Sequence, residues 1–130
     1  MVLPRFVRAA LKGEDLQVFG DGGQSRCFCH VSDVIRALIA LAGDDRTYGE
    51  VYNIGSQRLV TIRELAELVI ARTKSASKIV AVPYEKAYAK GFEDMRRRMP
   101  DTAKIHALCS WTPEKSLEEI IDDVAESMVR

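Results

Sequence analysis

The sequence predicts a small α/β domain, closer to α+β in character, with about five helices and four to five short strands. Two observations predict it. Five segments carry apolar residues at helical spacing. Between them stand short runs such as Val18-Phe19-Gly20, Val51-Tyr52-Asn53-Ile54-Gly55 and Lys78-Ile79-Val80-Ala81-Val82-Pro83, apolar and closed by glycine or proline. At 130 residues the chain is long enough for one domain with a core.

Each element has a local reason. Residues Pro4 to Leu11 form the first helix: proline suits the first turn, and Phe6, Val7, Ala10 and Leu11 share a face before Gly13 stops it. Leu16 to Asp33 then reads as a strand, a glycine-rich turn, a second strand and a helix start. Ser32 or Asp33 caps a helix over Val34 to Ala42, apolar around most of its circumference and therefore expected to be buried on more than one side. Val51 to Ile54 is expected as a strand. Thr61 and Glu64 form a capping box opening a third helix with Ile62, Leu65, Ala66, Leu68, Val69 and Ile70 as its stripe. Lys78 to Val82 is a strand. Tyr84 to Met99 is polar and irregular, an expected excursion or lid. Asp101 or Thr102 caps a short helix to Leu108, Trp111-Thr112-Pro113 turns the chain, and Ser116 with Glu119 opens the last helix.

Composition narrows the function classes. Nineteen basic and nineteen acidic side chains cancel, so there is no general attraction to nucleic acid or an anionic membrane. No apolar run spans a bilayer, and no signal-peptide pattern opens the chain. Three cysteines make an odd set for a disulfide framework, which points to a reducing cytoplasm. Arg96-Arg97-Arg98 is the one concentrated charge.

The glycine-rich turn Gly20-Asp21-Gly22-Gly23 has two readings: an ordinary hairpin turn, or a close backbone approach to a nucleotide base or phosphate. It matches neither a Walker A loop nor a Gly-x-Gly-x-x-Gly fingerprint. Arg26 beside it carries a planar, permanent charge suited to phosphate oxygens. Arg26 and the 96–98 run gain meaning only if the fold brings them together, and a diphosphate is the ligand that fits such a pair. Cys27 and Cys29 share a strand face and read as packing, as does Cys109 near Trp111, because no matching Cys or His pair completes a metal site. His30 reads as structural and Asp33 as a cap. No Tyr-x-x-x-Lys occurs, so no catalytic centre is visible.

Taken together, Pro4-Arg5-Phe6, Val18-Phe19-Gly20-Asp21-Gly22-x-Gln24-x-Arg26-x-Phe28-x-x-Val31-x-Asp33, Val51-Tyr52-Asn53-Ile54-Gly55, Thr61-Ile62-x-Glu64-Leu65-Ala66, Arg97-Arg98-Met99-Pro100-Asp101, Lys104, Trp111-x-Pro113 and Ser116-Leu117-Glu118-Glu119 resemble the C-terminal part of extended short-chain dehydrogenase/reductases. These are the NAD-dependent nucleotide-sugar epimerases, dehydratases and decarboxylases. The resemblance runs in order along nearly the whole chain. It implies that residues 1–130 are the substrate-binding region of such an enzyme and that the Rossmann half is absent. It also implies site residues: Val18, Phe19 and Gly20 against the base, Arg26 and Arg98 on the diphosphate, and Asp101 near the ribose or orienting Arg98. The ligand is then a nucleotide sugar carrying UDP or dTDP. NAD belongs to the intact enzyme and is not bound by this chain alone, which is expected to be inactive. In the family, the helix after His30 and the strand Val51 to Ile54 pack on the Rossmann half. An exposed apolar patch is therefore expected here, covered by a homodimer or by that half. A rival expectation is a non-catalytic dimerisation or regulatory module, and another is general anion binding through Arg96 to Arg98.

Overall fold

The computed structural model describes residues 1–84 and 95–130. In chain order it contains α1 (Val2–Lys12), β1 (Leu16–Phe19), β2 (Ser25–Cys27), α2 (Val31–Ala42), a 3₁₀ turn (Asp45–Thr47), β3 (Leu59–Thr61), α3 (Ile62–Thr73), β4 (Ile79–Val82), α4 (Ala103–Cys109) and α5 (Leu117–Val129). The expected lid falls largely outside the described residues. No helix among the described residues is long and apolar enough to cross a membrane.

The helix starts follow the local chemistry of the sequence. Thr61 and Ser116 each accept a hydrogen bond from the backbone three residues on, and Glu64 and Glu119 reach back to the cap N–H groups. Gly13, at φ 70°, closes α1. The apolar faces of α1, α3 and α5 meet over β1 to form the main core, in which Phe6, Val7, Leu16, Leu65, Val69 and Ile121 are fully buried. A smaller cluster forms around Ala37 of α2, Ile105 of α4 and Trp111, with Tyr52 and Ile54 half-buried against it.

The strands make two separate pairs. β1 runs parallel to β4, with Leu16 opposite Ile79 and Phe19 opposite Val82. β2 runs antiparallel to β3, with Ser25 opposite Thr61 and Cys27 opposite Leu59. The glycine-rich turn is therefore not a hairpin. Gly20 and Gly22, at φ 69° and 71°, carry the chain away from β1. It then lies over the start of α3, where the Arg63 and Ile62 N–H groups donate to the Gly22 and Gln24 carbonyls at 3.1 and 3.0 Å. A Cβ on Gly22 would lie 2.8 Å from Val18 Cγ1 and 3.1 Å from Arg63 Cβ, so the packing itself requires glycine.

Several local expectations are corrected. α2 starts three residues earlier than expected, at Val31, because His30 caps it: His30 Nδ1 accepts from the Ser32 N–H at 3.1 Å. Asp33 is a buried junction instead of a cap. It accepts from the Glu114 and Lys115 N–H groups at 3.1 and 3.0 Å and from Arg36 at 2.9 Å, while its own carbonyl accepts from Trp111 Nε1 at 3.1 Å. One carboxylate thus ties α2 to the turn that precedes α5. Val51 to Ile54 forms no strand, and the strand in this region is β3. Cys109 is exposed, so it is not core beside Trp111. α2 is buried on one side only: Val31, Ile35, Leu38 and Ile39 are exposed, and Tyr48 and Val51 are exposed beyond its C-terminus.

Candidate functional site

The site is built on β2. Its backbone is bonded to β3 on one edge and to the arginine run on the other. The Ser25 N–H donates to the Arg96 carbonyl at 2.7 Å, and the Arg98 N–H donates to the Ser25 carbonyl at 3.3 Å. Arg26 Nη1 reinforces this join by donating to the Ser25 and Met95 carbonyls, both at 2.7 Å. Asp21 closes the other end. It accepts from the Gly23 N–H at 2.9 Å and pairs with Arg96 at 3.0 Å, and these contacts, the backbone bond first, hold its carboxyl below the usual range. The two arginine regions, more than sixty residues apart in sequence, are thereby placed side by side.

Two cavities flank Arg26. One, of about 640 Å³, is lined by Arg26, Arg97 and Arg98 together with Cys27, Cys29 and Gly55. Pro100 packs so closely on Gly55 that a Cβ there would meet it at 2.9 Å, which sets one wall. The other cavity, of about 270 Å³, is lined by Arg5, Phe19, Gln24, Arg26 and Ile62, with Met1 and Val2 at the start of α1. One is rich in cations; the other joins an aromatic ring and an apolar floor to two guanidinium groups. Arg26 is the wall they share.

The remaining candidate residues are placed as follows. Val18 is almost completely buried, so its side chain belongs to the core. Gly20 lies beneath the Tyr84 ring, with a Cβ position 2.2 Å from Tyr84 Cε2. Asp101 accepts from the Ala103 N–H at 2.9 Å at the start of α4, and its carbonyl accepts from Asn53 at 3.2 Å. Residues given no role of their own from the sequence are Arg5 and Gln24, which appeared only within longer motifs; Arg97 was read as part of the 96–98 run. A lone arginine on a helix face carries no local signal, and Gln24 gave one only as part of the longer motif. Burial pushes the Cys27 and Cys29 thiols up, so both stay protonated and are not poised as nucleophiles. No group of three His, Cys, Asp or Glu side chains among the described residues has metal-binding geometry.

The glycine-rich turn does not fit a dinucleotide cofactor's pyrophosphate. It leads into a strand and not a helix N-terminus, and Gly20 and Gly22 are covered by Tyr84 and by Val18 with Arg63.

Comparison with known proteins agrees with this architecture. The model of the NAD dependent epimerase/dehydratase family matches residues 1–55. UDP-N-acetyl-alpha-D-glucosaminuronate decarboxylase of Bacillus cytotoxicus is 49% identical over 118 residues, covering 91% of this chain and 36% of that protein. The crystal structure of UDP-glucose 4-epimerase of Thermotoga maritima with UDP-glucose superposes with a TM-score of 0.82 at 34% identity, over 99% of this chain and 39% of that one. The dTDP-glucose 4,6-dehydratase of Bacillus anthracis, solved in complex with NAD, gives a TM-score of 0.82 at 27% identity, over 97% of this chain and 38% of that one. The chain thus spans about a third of the length of the relatives it matches. The ordered motifs, the fold and these matches together support a fragment of an extended short-chain dehydrogenase/reductase, similar to the NAD dependent epimerase/dehydratase family.

Proposed function

We propose that this chain binds and positions the nucleoside-diphosphate part of a nucleotide sugar for an NAD-dependent epimerase, dehydratase or decarboxylase. The observation that carries this is the placement of Arg26 between a cavity with an aromatic wall and a cavity with Arg98. The base lies in the smaller cavity against Phe19 and the backbone of β1. The diphosphate spans Arg26 and Arg98, each guanidinium facing one phosphoryl group. Asp101 fixes the segment that carries Arg98. The sugar extends toward residues outside this chain, which supply NAD and the catalytic base. Binding energy gathered at the nucleotide end then orients the reacting sugar carbon. The UDP-sugars named for the relatives support UDP as the nucleotide, and the 49% identical relative favours decarboxylation.

The exposed face of α2 supports the second half of this proposal. Ile35, Leu38 and Ile39, with Val51 nearby, form an apolar surface suited to docking on the cofactor-binding half, or on a second copy where that half is lacking.

Calorimetric titration tests the binding role. UDP and UDP-sugars are expected to bind, with Arg26→Ala and Arg98→Ala each weakening UDP by about tenfold or more. No turnover is expected from the chain alone. Absence of heat from every nucleotide while the chain is folded overturns the proposal. Inorganic phosphate competing as well as UDP replaces it with general anion binding.

A further inference from the structure

We propose that Arg5 selects the base, favouring a pyrimidine with a carbonyl at C4 (uracil or thymine) over cytosine. This rests on the assignment of the smaller cavity to the base. Arg5 projects from α1 into the lining of that cavity, and its guanidinium is held at two points. Nη2 donates to the Gln17 carbonyl at 3.0 Å, and the group lies over Phe19, 4.5 Å from the ring centre, with Phe6 at 5.4 Å. A long cationic side chain normally loses rotamer freedom when it engages a ligand; here much of that ordering is already done.

The chemistry of the lining leaves this role to Arg5. Gln24 is buried, and its Nε2 is spent on the Phe19 carbonyl at 3.3 Å. That carbonyl can only accept, so the amide orientation is fixed; one of the two Nε2 hydrogens is already bonded, and the buried, uncharged amide is a weaker donor than a guanidinium. Arg26 is engaged by the Ser25 and Met95 carbonyls and faces the cation-rich cavity as well. Met1 and Val2 bring apolar side chains to the lining, and Arg5 is its cationic side chain that does not also face the cation-rich cavity. A guanidinium donates and never accepts. Beside the C4 carbonyl of uracil or thymine it makes a charge-assisted hydrogen bond. Beside the C4 amino group of cytosine, donor faces donor.

UDP and CDP carry the same charge, so their affinity ratio isolates the base edge from the phosphate attraction. The expected result is UDP binding about tenfold tighter than CDP in the wild type, the worth of one exposed charge-assisted hydrogen bond. In Arg5→Met, which keeps a flexible apolar side chain over Phe19 and removes every donor, the ratio falls to about one. Arg5→Gln gives a second reading if the first variant loses its circular-dichroism signature. A ratio unchanged in both variants, or a wild type indifferent to the base, overturns the role of Arg5 while leaving nucleotide binding intact. Pyrophosphate binding as tightly as UDP overturns the base subsite, and this inference with it.

Discussion

The two apolar clusters of this molecule are built differently. The larger is closed: α1, α3 and α5 pack around β1, and Phe6, Leu65 and Ile121 reach solvent nowhere. The smaller, around Ala37, Ile105 and Trp111, is closed on one side only, and the helix that supplies Ala37 turns Ile35, Leu38 and Ile39 to solvent. The first cluster holds most of the buried apolar side chains among the described residues. The second is held in place by polar contacts, chiefly those of Asp33, and its apolar surface is suited to burial against another body. The proposed nucleotide site lies beside β2.

Substitutions should separate the two regions sharply. Phe6→Ala is expected to cost about 3–5 kcal/mol, enough to unfold much of the population, read from the urea midpoint. Asp33→Asn should cost about 2–3 kcal/mol, since two N–H groups and Arg36 lose a charged acceptor in a buried site; loss of near-ultraviolet Trp111 signal ahead of the helical signal would show that the second cluster loosens first. Gly22→Ala should cost about 1–3 kcal/mol through a left-handed backbone and the crowding of Val18, measured in the same way.

Acid should act more gently. The two hydrogen bonds from Arg58 hold Glu118 down at about 2, and Asp33 is also held low, since the bonds it accepts outweigh the opposing effect of burial. Both carboxyls are depressed in the folded state. Their contribution is complete above their unfolded values and is lost as pH falls below them, for Glu118 toward about 2. Arg58→Met should flatten the Glu118 part of a stability-against-pH curve by less than about 1 kcal/mol, because the pair is partly exposed. The smallest effect is expected on the open face of α2. Ile39→Lys should change stability by about 0.5 kcal/mol or less while lowering self-association in sedimentation. If Ile39→Lys destabilised as much as Phe6→Ala, the division into a closed and an open cluster would fail.

Features decided within one turn of chain were legible in the sequence. The capping boxes at Thr61 and Ser116 need only residues three apart, and both are present. Helix stripes were legible for the same reason. Strand partners were not. A glycine turn between two apolar runs reads as a hairpin, and nothing local reveals that β1 bonds instead to β4. Val51 to Ile54 keeps a strand's alternation, exposed at Val51 and Asn53 and half-buried at Tyr52 and Ile54, yet it is paired with no strand among the described residues. The pattern is present and the ladder is not, because a strand needs a neighbour that the sequence of the segment does not specify. The meeting of Arg26 and Arg98 became visible through the ordered set of motifs; Arg5 did not, because its role depends on Phe19 and Gln17, which α1 does not contain.

The register of β2 and β3 has a consequence for how the chain folds. Cys27 and Leu59 face each other, so residues 28–58 leave and return at one point. The whole of α2 is an excursion from a strand pair that can close without it. Lengthening such an excursion adds little closure entropy. The slow step should instead be the parallel pairing of β1 with β4, which must bring Leu16 to Ile79 across the intervening chain. On this basis α1, α3 and the two strand pairs are expected to form before α2 docks, which would leave its apolar face free to meet a partner after the core is set.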